Sequence, residues 1–89
     1  MTTVTLTDHL SEYSSKTSFH VTSDSVAHCL QEIFQSESRL RGYLLDDQGR
    51  PRKHVAIFLN GKPVNDREWL TDPVEPMDGI FVMQALSGG

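Results

Sequence analysis

The chain opens on alternation. Val4-Thr5-Leu6 continues a threonine-rich start with apolar and polar residues in turn, the period of a half-buried strand. His9 to Ser18 is polar and rich in serine and threonine, which reads as a loop or hairpin connection, and Phe19-His20-Val21-Thr22 alternates again as a second strand antiparallel to the first. The period then changes. Val26, Leu30, Ile33 and Phe34, with Cys29 beside them, recur at helical spacing, while His28, Gln31, Glu32 and Gln35 take the other face. Ser23-Asp24-Ser25 supplies oxygen-bearing side chains that can cap orphan backbone N–H groups, so the spacing predicts a helix from about Asp24 to Gln35. Ser36 to Gly42 is read as an added helical turn, with Leu40 folded inward and Gly42 as its stop.

Tyr43-Leu44-Leu45 and Val55-Ala56-Ile57-Phe58-Leu59 flank Asp46-Asp47-Gln48-Gly49-Arg50-Pro51, whose Asp, Gly and Pro mark a turn; the stretch is expected to be an extended arm folding back. Asn60-Gly61 is a tight-turn signal, and Lys62-Pro63-Val64 restarts a short strand in which the proline suits a sheet edge. Asp66 to Leu70 is expected to make a short helical turn with Trp69 or Leu70 tucked into the core, and Asp72-Pro73 and Pro76 to Gly79 are loops. Ile80 to Ala85 is the last strand. The economical way to bury this much apolar surface is one amphipathic helix over one sheet. The predicted class is α+β, a β-grasp arrangement in which a mixed sheet of four to five strands packs on one main helix and the last strand pairs centrally. The predicted division is a domain over residues 1–85 and a tail over residues 86–89.

Strand alternation also sorts side chains by face. Val55, Ile57, Leu59, Ile80 and Val82 are expected beneath the helix. Phe58, Phe81 and Met83, with Pro63 nearby, are then left on the open face, an apolar cluster of the kind that docks a partner. Beyond them the sequence ends in Leu86-Ser87-Gly88-Gly89. Two glycines lack Cβ atoms and can thread a narrow channel. An extended backbone carries the final carboxylate about 10 Å beyond Leu86, at about 3.3–3.6 Å per residue. A carboxylate is inert until activated, so the tail is expected to be handled by a partner enzyme.

Composition narrows the classes. Eighty-nine residues make one domain with one modest core. A formal net charge of −4, with the signs mixed, argues against general nucleic-acid binding and permits a partner with a basic docking surface. The single cysteine, Cys29, allows no internal disulfide and suits a reducing compartment. No apolar run approaches the ~20 residues of a membrane span. The first residues lack the basic and apolar regions of a signal peptide. The expectation is a cytoplasmic protein that binds neither nucleic acid nor membrane.

The familiar catalytic constellations find little support. His28 and Cys29 are adjacent, hence about 100° apart on a helix, and cannot face each other as base and nucleophile. Cys29 reads as a small core residue. His9, His20, His28 and His54 lack metal-ligand spacing. Arg50, Arg52, Lys53 and His54 form a small basic cluster, read first as a solvated hairpin tip and second as an electrostatic guide for a partner. Asp46, Asp47, Asp66 and Glu68 show no calcium-loop pattern, and glycine-rich phosphate loops are absent.

Leu40 to Arg50, Val55 to Val64, Asp78-Gly79-Ile80-Phe81-Val82-Met83 and Gly88-Gly89 together resemble the ubiquitin-like sulfur carrier proteins. These include the small subunit of molybdopterin synthase and the sulfur carriers of the thiamine and cysteine pathways. The resemblance covers most of the chain and is anchored on Asn60, Asp78-Gly79 and Gly88-Gly89. It implies that the chain is not itself an enzyme and binds no cofactor or metal. A ubiquitin-activating-type adenylating enzyme would use ATP and magnesium to convert the Gly89 carboxylate to an acyl adenylate. A sulfur donor would displace AMP to leave a thiocarboxylate, which an acceptor enzyme, a synthase, would consume. Matched to the molybdopterin-synthase subunit, Pro63 and Met83 fall where that relative contacts its partners. The arm from Tyr43 to His54 is longer than in the thiamine carriers and closer to the cysteine-pathway carriers. The pathway stays open. So does a second use of the same tail, a ubiquitin-like modifier joined through Gly89 to lysines.

Overall fold

A computed structural model describes residues 1–7, 10 and 13–84. Among these, five strands and two helices follow in the order β1 (Thr2–Leu6), β2 (Ser18–Val21), α1 (Val26–Phe34), α2 (Ser38–Leu44), β3 (Val55–Leu59), β4 (Lys62–Pro63) and β5 (Gly79–Gln84). They form one sheet in the order β2-β1-β5-β3-β4. β5 lies in the centre, parallel to β1 and antiparallel to β3, and the β1–β2 and β3–β4 pairs are antiparallel. This is the β-grasp fold. Pro63 sits on the edge strand, where its missing N–H costs no ladder bond. His9, Ala85 and the tail Leu86, Ser87, Gly88 and Gly89 lie outside the described residues.

The alternation read from the strands holds. Val4, Leu6, Phe19, Val21, Val55, Ile57, Ile80 and Val82 are buried on one face, under Val26, Cys29, Leu30, Ile33 and Phe34 of α1. Leu59, expected in this core, is only half-buried where β3 runs out into the turn, packed against the core edge. The connection between β1 and β2 is less polar in effect than its composition: Leu10 is fully buried, and Ser18 already belongs to β2, which ends one residue before Thr22. Burial pushes the Cys29 thiol up to about 11, with the negative charges of Glu32 and Asp24 acting in the same direction.

α1 starts two residues later than predicted. The Asp24 carbonyl accepts from Val74 N–H at 2.9 Å and Ser25 bridges Pro73, so the chain is still extended there. Ser25 is the cap, its Oγ accepting from His28 N–H at 3.2 Å. The N–H groups of Val26 and Ala27, which have no partner within the helix, donate to the carbonyls of Asp72 (3.0 Å) and Leu70 (2.9 Å). The segment after β4 is thus what seats the helix. Within it Leu70 turns inward and Trp69 outward. The Asp72 carboxylate is buried, accepting from the N–H groups of Asn65 (2.8 Å) and Asp66 (2.9 Å).

The largest departure lies in the arm. α2 runs straight through Gly42 and Tyr43 to Leu44, so Gly42 is no stop and the extended stretch begins only at Leu45. Leu40 and Leu44, four residues apart, are both fully buried. Burying one leucine contributes about 1.5–3 kcal/mol, against roughly 1 kcal/mol for a glycine inside a helix, so the core contact decides. Tyr43 stacks on Tyr13 with ring centroids 4.0 Å apart and meets His54 edge-on at 5.0 Å. Ser15 N–H and Oγ both donate to the Glu37 carboxylate, tying the β1–β2 connection to the start of α2 and holding that carboxyl below its usual range. The turn itself forms as expected: Asp46 Oδ1 accepts from Gln48 and Arg50 N–H, and Leu45 bridges Pro51.

Candidate functional site

On the face of the sheet away from α1, one row crosses all five strands. Ser18 opposes Thr5, Thr5 opposes Phe81, Phe81 opposes Phe58, and Phe58 opposes Pro63. Met83 lies opposite Ala56 in the next row on that face, and Gly79 lies opposite Thr3 in the row before. The structure therefore brings together Phe58, Pro63, Phe81 and Met83. Pro63 is exposed, Phe81 is 39% exposed, and Phe58 and Met83 are half-buried. No helix among the described residues covers them; α1 and its apolar stripe pack against the opposite face.

Phe58, Phe81 and Met83 wall a depression of about 390 Å³, with Thr3, Thr5 and Asn60 completing its border; Pro63 lies outside it, beside Phe58 on the edge strand. Gly79 makes room in it: a Cβ there would meet only Asn60 Oδ1, at 4.0 Å. The composition of the hollow is apolar with a few hydroxyl and amide groups at the border, the make-up of a site that receives an apolar side chain from another molecule. Sequence reasoning missed Thr3, Thr5, Asn60 and Gly79 as lining residues. The alternation of Thr3 and Thr5 with Val4 and Leu6 was a usable signal, but only the parallel β1–β5 pairing places them beside Phe81.

One border of the hollow is rigidly built. Asn60 (φ 54) and Gly61 (φ 84) form a tight turn with two left-handed residues, as Asn-Gly favours. Asn60 N–H donates to the Gly79 carbonyl (2.8 Å), Gly79 N–H donates to Asn60 Oδ1 (2.9 Å), and Asn60 Nδ2 donates to Asp78 Oδ1 (3.0 Å). Asp78 Oδ2 accepts from Glu75 N–H at 2.9 Å. That backbone N–H, and then the Asn60 amide, hold the Asp78 carboxyl below its usual range. Asn60 and Asp78-Gly79, far apart in sequence, are thus one clamp fixing where β5 begins against β3. They carry no catalytic geometry.

The other end of β5 leads out of the sheet. Gln84, its last residue, pairs with Val55, the first of β3. Phe81 is three residues earlier, about 10 Å at strand rise. The apolar face therefore lies close to the point from which residues 85–89 continue.

Among the described residues no group of three His, Cys, Asp or Glu side chains could hold a metal ion. No helix among them is long and apolar enough to cross a membrane. His28 Nδ1 lies 3.6 Å from Asp24 Oδ1, an exposed pair, and His20 is exposed; His54 sits in a turn against Tyr43.

A family model described as the ThiS family matches residues 4–89, almost the whole chain. The chain belongs to the ThiS family. Solved structures agree on the fold of this ThiS-family protein. SAMP1 from Haloferax volcanii superposes with a TM-score of 0.83 at 20% identity, covering 99% of this chain and 98% of its own. A chain of the Amycolatopsis orientalis BexX/CysO complex gives 0.86 at 16% identity with both chains covered completely. Mycobacterium tuberculosis CysO gives 0.83 at 18% identity, covering 97% of this chain and 100% of its own. No curated protein sequence matches.

Proposed function

We propose that this ThiS-family protein is a sulfur carrier. A ubiquitin-activating-type adenylating enzyme, using ATP and magnesium, joins AMP to the Gly89 carboxylate, releasing pyrophosphate. A sulfur donor then displaces AMP and leaves a thiocarboxylate, which an acceptor enzyme consumes. The adenylate supplies the leaving group that the carboxylate lacks, and the thiocarboxylate sulfur is a softer nucleophile than oxygen. The carrier contributes no acid, base or metal; it contributes a grip and a reach, and the partner supplies the preorganised catalytic groups. The grip is the open face of Phe58, Pro63, Phe81 and Met83, and the reach is Leu86, Ser87, Gly88 and Gly89.

The observation that carries this reading is the family match running through Gly89, on a fold whose uncovered apolar face adjoins the end of β5. Incubation with ATP, an adenylating enzyme of this type and a sulfur donor is expected to raise the intact mass by one oxygen-to-sulfur exchange, located at Gly89 by fragmentation. No mass change, while a known carrier converts under the same conditions, would overturn it. A second reading has support from one structural neighbour, small archaeal modifier protein 1 of H. volcanii: conjugation through Gly89 to lysines. Gly-Gly-modified lysines recovered from cells would favour it.

A further inference from the structure

Five of the chain's eight lysines and arginines are gathered in one place. Residues 38–54, which form α2 and the turn after it, hold Arg39, Arg41, Arg50, Arg52 and Lys53 against only Asp46 and Asp47, in a chain whose formal net charge is −4. Asp46 is engaged inside the turn, accepting from two backbone N–H groups and facing Arg50 Nε at 3.5 Å. Arg52 uses its Nε to donate to the Gly42 carbonyl at 3.1 Å. Arg39 lies over the Tyr13 ring, 6.0 Å from its centroid. Arg41 and Lys53 are exposed, and among the described residues neither forms an ion pair.

Position gives the cluster meaning. Lys53 precedes Val55, the residue paired with Gln84, so the turn lies at the end of the sheet where β5 finishes. The Tyr13–Tyr43 stack and the edge contact of His54 fix α2 and the turn there. From Lys53 to Phe58, through His54 and along β3, is about 17 Å at strand rise. One partner can cover both.

The geometry points to a second docking contact, in which the cationic arm of residues 38–54 meets an acidic protein surface beside the cleft that receives the chain's last residues. This rests on the carrier reading in one respect, that the acidic surface belongs to the adenylating partner. A polynucleotide fits less well. The protein measures 33 × 27 × 24 Å, and outside the arm carboxylates outnumber cations, so a long uniform polyanion would bring repelled surface within a few screening lengths of about 8 Å. A bounded acidic patch meets only the arm. Complementary charge at the border of an apolar contact speeds encounter and fixes orientation, which a partner threading a narrow tail requires.

The test uses the full chain and the double variant Arg41→Glu/Lys53→Glu, with Arg41→Gln/Lys53→Gln held in reserve should charge reversal disturb folding. An oligoglutamate peptide titrated at low salt is expected to shift amide resonances within residues 38–54, with the shifts lost at high salt and absent in the variant. With the adenylating enzyme that converts the wild-type chain, the variant is expected to raise KM roughly three- to tenfold, the size of losing two exposed charge contacts, at unchanged kcat and melting temperature. Unchanged KM, peptide shifts scattered over the surface, or oligouridylate acting on the same amides at lower concentration than the peptide would each overturn the contact. The readings separate cleanly. Peptide binding at 38–54 in a chain that no adenylating enzyme converts keeps the contact and removes the carrier; conversion with unchanged KM does the reverse.

Discussion

Replacing Gly42 by alanine decides whether the arm is helical or extended. Gly42 lies inside α2, its φ is not in the left-handed region, and a Cβ on it would meet nothing within 4 Å. Alanine is favoured over glycine in a helix interior by about 0.8–1.0 kcal/mol. In a domain of this size 1 kcal/mol moves the melting temperature by about 4–8 °C, so Gly42→Ala should raise it by several degrees. Gly49 supplies the control. Its surroundings are equally open, but its φ is +86. Alanine there costs about 1–2 kcal/mol in the left-handed conformation, offset in part by about 0.4–1 kcal/mol from the stiffer unfolded chain. One substitution at two unobstructed sites should therefore shift the melt in opposite directions, read by far-UV circular dichroism with urea unfolding as a second measure. A fall at Gly42 comparable to that at Gly49 would mean that Gly42 is a left-handed stop and that α2 ends before Tyr43.

Phe81→Asp should raise KM for adenylation by at least tenfold while leaving the melting temperature within a few degrees, because Phe81 points away from the core; a collapse of the fold instead would show the open face to be structural. The Asp66 carboxylate accepts from the Thr71 hydroxyl at 2.6 Å and from the N–H groups of Trp69, Thr71 and Glu68, which together hold it below its ordinary 3.8. Its contribution is present above pH 3.8 and is lost as pH falls through the lower folded value, so Asp66→Asn should flatten the acid limb of a melting-temperature profile. Cys29, buried and with its thiol raised to about 11, should resist alkylation at pH 8 in the native protein and react on denaturation; rapid native labelling would contradict its place in the core.

Much of the fold could be read from period alone. Val55, Ile57, Ile80 and Val82 against Phe58, Phe81 and Met83 divides correctly because strand alternation is strict and the two strands are neighbours. α1 was legible because its apolar stripe is continuous, although its start was not. Asp24 and Ser25 are held extended by bonds to residues 72–74, which are distant in sequence. The arm failed for a related reason. Gly42 punctuates locally, and nothing near it announces that Leu44 will find a place in the core beside Leu40. For the site, the apolar residues were visible and the rest of the lining was not. Gly79 lines a hollow only when β5 inserts between β1 and β3, and Asn60 becomes its border only when the clamp closes on Asp78.

β5 gathers these roles into one strand. Ile80 and Val82 anchor it in the core, Phe81 and Met83 face outward, β1 pairs with it from Gly79 to Val82 and β3 from Ile80 to Gln84. A partner that grips Phe81 therefore grips a central strand, which has no free edge to yield. The position at which the chain leaves the sheet after Gln84 is fixed relative to that grip to within the stiffness of the sheet. The Asn60–Asp78 clamp at the far end adds to this by setting the β3–β5 register, since a slip of one residue would carry Phe81 and Met83 to the helix side and Ile80 and Val82 to the solvent. Loosening the clamp should thus impair docking without touching any docking residue, and Asp78→Ala combined with Phe81→Asp should cost less in KM than the sum of the two single effects.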